Sequence, residues 1–145
     1  MIRFWDTSAL VKVFHTREAA HARATNLVYG APKSARHMTS MIASVELVAV
    51  LVRETRDRAL AAQAVDLLRG FDQVEFTELH RDLAIRLAFT GKTRGADTAI
   101  AAQALAAAAA GGRLEFVSAD REQSRAVESE AKARRLDVRI ILMPV

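Results

Sequence analysis

Short runs with strand character alternate along this chain with longer stretches of helical spacing, and that alternation restricts the fold more than any other feature. The strand-like runs are residues 2–5, 37–40, 73–77, 114–118 and 138–142. Run 73–77, Gln73-Val74-Glu75-Phe76-Thr77, alternates polar and apolar positions as a half-buried strand does. Helical segments are predicted from Thr7 or Ser8 onward, then over 18–29, 42–56, 58–69, 80–90, 96–110 and 120–135. Gly30-Ala31-Pro32, Gly70 and Gly111-Gly112 supply their stops. Strands separated by helices imply a parallel sheet with helices on both faces. A chain of 145 residues suits one domain with a sizeable core, and no linker or repeat divides it.

Composition narrows the class. Hydrophobic residues make up 51% of the chain, which excludes a disordered tail. There is no cysteine, hence no disulfide framework and no zinc thiolate site, in keeping with a cytoplasmic protein. No secretory signal pattern is present. The Ala-rich stretch 96–112 carries Asp97 and Gln103 and is too short for a membrane span. A formal net charge of +4 suits a polyanionic partner such as nucleic acid. Segment 42–56 is apolar almost all round; Ile42, Val45, Val48 and Val52, together with Leu47 and Leu51, are expected to face inward. Its high β-branched content means that packing holds it helical.

The acids fall at defined places on this frame. Ile2-Arg3-Phe4-Trp5 leads straight into Asp6-Thr7-Ser8 and a new apolar run, so Asp6 ends a strand and opens a helix. In open α/β sheets that edge is where ligands bind. Asp6 alone would be an ordinary helix cap. Asp120 follows the strand 114–118 and reaches the same edge if the strands are parallel. Asp97 opens the Ala-rich helix, where a carboxylate also suits the helix dipole. Glu46 is the single charge within Met41 to Val52. A buried carboxylate there needs a partner or a metal, unless it rides a polar stripe with Ser44 and Arg53. Crowded carboxylates repel one another and raise each other's pKa values. Hard divalent cations with oxygen ligands relieve that repulsion, and magnesium or manganese so held activates water against a phosphodiester. His15, His21, His37 and His80 show no metal-ligand spacing of the His-Glu-x-x-His type.

With these residues in view, the sequence resembles a PIN domain, most closely a VapC-type toxin ribonuclease. The resemblance runs along nearly the whole chain. Its marks are Asp6-Thr7-Ser8-Ala9-Leu10-Val11, Ser44-Val45-Glu46-Leu47, Gly95-Ala96-Asp97-Thr98-Ala99-Ile100-Ala101 and Val117-Ser118-Ala119-Asp120-Arg121. It implies a single domain over 1–145: a three-layer α/β/α sandwich around a mostly parallel five-stranded sheet. It implies a Mg2+- or Mn2+-dependent endoribonuclease whose metal pocket is formed by Asp6, Glu46, Asp97 and Asp120. Ser8, ahead of Thr7, would support the first acid. A cognate antitoxin and a homodimer are the partners implied, with RNA as substrate. Many members carry a further acid close to the fourth; Glu122 lies one helical step off and is not counted as a ligand.

Other readings fail on particular residues. Gly91-Lys92-Thr93 would need an earlier glycine to be a phosphate-binding loop, and position 86 is Arg86. A haloacid dehalogenase-type phosphatase would need an acid where Ser8 stands, and a receiver domain a further Asp and Lys that are missing. The alternative that stays open is a non-catalytic PIN-like module that binds RNA or protein. Lys12, Lys92 and Arg94 are the candidate RNA contacts, with Arg17 and Arg53 on the flanks. The mixed-sign helix 120–135 reads as a solvated face.

Overall fold

The computed structural model describes residues 1–145. In chain order the elements are β1 (Ile2–Trp5), α1 (Thr7–Phe14), α2 (His21–Tyr29), β2 (Arg36–Ser40), α3 (Met41–Thr55) and α4 (Arg58–Leu68). They continue as β3 (Asp72–Val74), α5 (Glu78–Phe89), α6 (Gly95–Gly111), β4 (Leu114–Ser118), α7 (Arg121–Ala133) and β5 (Val138–Leu142). The five strands form one sheet in the order β3-β2-β1-β4-β5, and every pairing is parallel rather than mostly so. No helix is long and apolar enough to cross a membrane.

Alternation along the central strands builds the three layers. Ile2 and Phe4 of β1, with Leu114 and Phe116 of β4, point to the face covered by α5, α6 and α7. Trp5 and Val117 point to the other face, against α1, α2 and α4. Each central strand is thus buried on both sides, as parallel strands are. α6 lies almost wholly inside, and its alanines let it approach the sheet closely. One row breaks the apolar pattern. His37, Arg3, Glu115 and Arg139 stand in register across β2, β1, β4 and β5. Arg3 and Glu115 form a buried ion pair at 2.7 Å, and Arg3 Nη1 also donates to the Leu27 carbonyl at 2.7 Å.

Three expectations are corrected. α3 buries Ala43, Leu47 and Leu51, whereas Val45 is 71% exposed and Val52 is exposed as well. The buried stripe recurs every four residues, and the Val45–Val52 stripe lies off it. Ile42 and Val48 are half-buried. The third strand is shorter than the expected 73–77: it pairs with β2 only through Asp72–Val74. The helix foreseen over 18–29 begins at His21, after Ala20 in the left-handed region at φ 68°.

The strand order reverses direction between β1 and β4. From β1 the chain proceeds outward to β2 and β3 on one side, and returns through α6 to β4 and β5 on the other. Such a switch point opens a crevice beyond the carboxyl ends of its two strands. Asp6 follows β1 directly, and Asp120 follows β4 after one residue, Ala119.

Candidate active site

Asp6 does two things at once. It is the N-cap of α1, and it is only 1% exposed. Its Oδ2 accepts from the Ser8 backbone N–H at 3.3 Å, the Ser8 hydroxyl at 2.5 Å and the Ser118 hydroxyl at 3.1 Å. Its Oδ1 is buried and has no hydrogen-bond partner at all. Burial pushes the Asp6 carboxyl above its usual range, opposed by the hydrogen bonds from Ser8 and Ser118. The expected support from Ser8 therefore has a geometric basis. The Ser8 hydroxyl in turn accepts from the Ala119 N–H at 2.8 Å, which ties α1 to the turn after β4.

Asp120 is likewise a cap, for α7, with Oδ1 accepting from the Gln123 N–H at 2.9 Å. The Asp120 N–H donates to Ser118 Oγ at 2.9 Å. Asp97 sits in the first turn of α6, half-buried. Its carboxyl is pushed up to about 6, chiefly by burial and further by the charges of Asp6, Asp120 and Glu46; Arg94 alone pulls it down. The helix terminus would favour the ionised form, so burial and like charge outweigh the dipole here. Asp6, Asp120 and Glu46 all act on Asp97, so the four acids share one electrostatic environment. Glu46 does not ride a polar stripe: it is half-buried, and its Oε1 accepts from the Thr7 hydroxyl at 2.9 Å. Adjacent hydroxyls thus serve different acids, Ser8 holding Asp6 and Thr7 holding Glu46.

Two further residues hold the site together, Ser118 and Gln123, and both are buried. Sequence reasoning passed over them. The available signal was their spacing, Ser118 two before Asp120 and Gln123 three after it, which are turn and capping-box positions.

The basic residues divide. Arg94 is the exposed N-cap residue of α6 and Lys92 is exposed in the preceding turn. Lys12 is 5% exposed, and its ammonium is engaged by Glu18 at 2.7 Å. It is not an open cation. Arg17 and Arg53 are exposed. One histidine does meet two acids: ligand atoms of His15, Glu18 and Glu54 lie within 4.8 Å of one another. The cluster lines the same cleft system as Ser8 and Asp120, through Lys12, Glu18 and Glu54. Lys12 already neutralises Glu18, so this cluster offers a cation less than its proximity suggests. The four acids are more widely spaced than that cluster.

The acids nevertheless fit a divalent cation. A buried carboxylate oxygen left without a donor is costly unless something positive meets it. Asp6 Oδ1 is that oxygen, and three further carboxylates share its surroundings with one arginine among them. The donor set is all oxygen, which suits a hard ion such as Mg2+ or Mn2+.

Comparison with known proteins bears on the fold and the family. No curated protein matches the sequence. Mycobacterium tuberculosis VapC20, a toxin that cleaves the sarcin-ricin loop, superposes with a TM-score of 0.68 at 20% identity over 86% of this chain and 94% of its own. VapBC-1 from nontypeable Haemophilus influenzae gives 0.65 at 16% identity over 98% of each chain. DNA-bound VapBC from Salmonella typhimurium gives 0.61 at 17% identity over 97% of each. At such identities the likeness is one of fold. The PIN domain family model itself matches residues 3–129, from the second residue of β1 into α7, and so spans every acid of the crevice. On that match the chain belongs to the PIN domain family.

Proposed function

We propose that this protein is a metal-dependent endoribonuclease and the toxin of a VapBC-type toxin–antitoxin pair. One observation carries the reading most: the buried, partnerless Oδ1 of Asp6 at the switch point of the sheet, with Glu46, Asp97 and Asp120 around it. Family membership and the fold likeness to VapC chains support it. Asp6, Glu46, Asp97 and Asp120 would hold Mg2+ or Mn2+. An ion held by these residues would supply the positive charge that activates water against a phosphodiester. Ser8 and Ser118 fix the Asp6 carboxylate by their hydroxyls, and Thr7 fixes Glu46. Arg94, the N-cap residue of α6, and Lys92 in the exposed turn before it would hold the RNA backbone. A cognate antitoxin and a second copy of the chain are the proposed partners, and the cytoplasm the proposed site of action. The solved VapBC assemblies support the first of these.

The test is cleavage of total RNA by purified protein with Mg2+, Mn2+ or chelator, with the new RNA ends sequenced. Asp6→Asn, Asp97→Asn and Asp120→Asn are each expected to abolish metal-dependent cleavage and leave the circular dichroism spectrum unchanged. Cleavage at the wild-type rate by Asp97→Asn would overturn the assignment. RNA binding with no cleavage by wild type under any metal would favour the non-catalytic alternative.

A further inference from the structure

Gln123 is placed where a helix cap would be expected to use it locally. Asp120 and Gln123 stand at the N-cap and third helical position of α7. At that spacing a Gln side chain normally reaches back to the N-cap N–H. Here the Asp120 N–H already donates to Ser118 Oγ. The Gln123 amide is released from that task and turns across the crevice. Its Nε2 donates to the Asp97 carbonyl of α6 at 3.0 Å, and its Oε1 accepts from Ser118 Oγ at 3.3 Å. The residue is 1% exposed, so these contacts are shielded from water.

The consequence is a set of contacts reaching three of the acids. Gln123 N–H holds the Asp120 carboxylate, its side-chain amide holds the backbone of Asp97, and its carbonyl oxygen shares the Ser118 hydroxyl with Asp6 Oδ2. No other residue hydrogen-bonds to both Asp97 and Asp120: Gln123 reaches Asp97 by its side-chain amide and Asp120 by its backbone N–H. α6 and α7 are successive helices joined through β4, and this amide is the side-chain hydrogen bond that ties their first turns together. We infer that Gln123 is a positioning residue that fixes the separation of Asp97, Asp120 and Asp6 and thereby sets the affinity of the crevice for its divalent cation. The inference rests on the metal-site reading above.

Outer partners that orient ligands typically change metal affinity 10- to 100-fold when removed. The variant is Gln123→Met, which keeps length and packing and removes both side-chain hydrogen bonds. Ser124→Ala is the control: Ser124 Oγ is buried in the same turn and makes no hydrogen bond. Mn2+ affinity is read by calorimetric titration of the full chain, beside RNA cleavage kinetics. Gln123→Met is expected to raise the Mn2+ Kd at least tenfold and lower kcat at saturating RNA, with KM for RNA unchanged. Ser124→Ala should match wild type. Wild-type Mn2+ affinity in a folded Gln123→Met protein overturns the inference, as does a rise in KM with kcat and Kd unchanged. Absence of Mn2+ binding by wild type itself would instead overturn the metal-site reading. A second measurement needs no variant: the side-chain NH2 signals of Gln123, followed by NMR on adding Mg2+ to wild type. They are expected to be slow to exchange and to shift on saturation. Rapidly exchanging signals indifferent to Mg2+ overturn the inference even if Gln123→Met does not fold.

Discussion

Replacing Asp97 by Asn should stabilise the metal-free protein at neutral pH while removing the stabilisation that metal brings. The Asp97 carboxyl titrates near 6 in the folded protein against 3.8 for the ordinary side chain. The folded state therefore binds more protons than the unfolded chain between those values, and stability falls as pH rises through that window. Above pH 6 the cost is complete. Taken at face value the displacement amounts to about 3 kcal/mol. Asp97 is only partly buried, and solvent screening reduces this to about 1–2 kcal/mol. Asn keeps the shape and lacks the charge, so Asp97→Asn should gain about that much at pH 7, a rise of roughly 3–8 °C in Tm for a domain of this size. Near pH 4 the two proteins should melt within about 1–2 °C of each other, because little of the cost has yet developed there. Metal acts oppositely. Binding to the native state at 100 times Kd would add about 2.7 kcal/mol to wild type, and the Asn variant should lose most of that gain. The assay is thermal melting of both proteins at pH 4 and pH 7, in chelator and in millimolar Mn2+. A variant less stable than wild type at pH 7 in chelator, or a difference between the two that is the same at both pH values, refutes the electrostatic account of the crevice.

Three further outcomes follow from the geometry. Lys92→Ala with Arg94→Ala should weaken RNA binding about equally across sequences and lower its salt slope by about two; an unchanged slope in filter binding would place the backbone elsewhere. Glu115→Ala leaves the Arg3 guanidinium buried without its partner and should cost about 3–5 kcal/mol in urea unfolding, whereas Arg3→Met with Glu115→Leu together should come close to neutral. Leu47→Ala should cost about 2–5 kcal/mol and Val45→Ala under about 0.5 kcal/mol, since only the first opens a cavity; equal losses would restore the Val45 face as the buried one.

The alternation of strands and helices was enough to place Asp6 and Asp120 at one edge, because in a parallel sheet every strand ends on the same side. Asp97 was legible from its place at a helix start, and Glu46 from its isolation among apolar residues. What could not be read was side-chain direction within an apolar helix. α3 offers two apolar stripes, Ala43-Leu47-Leu51 and Val45-Val48-Val52, and only the helices packed against it decide which is buried. The division of labour between Thr7 and Ser8 was hidden for the same reason: neighbouring helical positions point about 100° apart, toward whatever tertiary partners stand there. Lys12 looked like a substrate contact from its place one turn beyond Ser8, but Glu18 comes back from the following loop to cover it. The end of β3 at Val74 depends on edge-strand pairing, which Glu75-Phe76 does not encode locally.

The charged row at the amino end of the sheet acts as an index mark for threading. Strands that are apolar on both faces carry little information about how far one should slide along another. A slip of one residue between β1 and β4 would turn the Arg3 guanidinium away from Glu115 and into the layer of Phe4 and Leu105. Such a misaligned intermediate would bury two opposite charges on opposite sides of the sheet, each alone. Correct alignment at Arg3 and Glu115 then dictates, three residues further along each strand, that Asp6 lies level with Ser118. A salt bridge at the bottom of the molecule thereby sets the alignment of a hydrogen bond at the top.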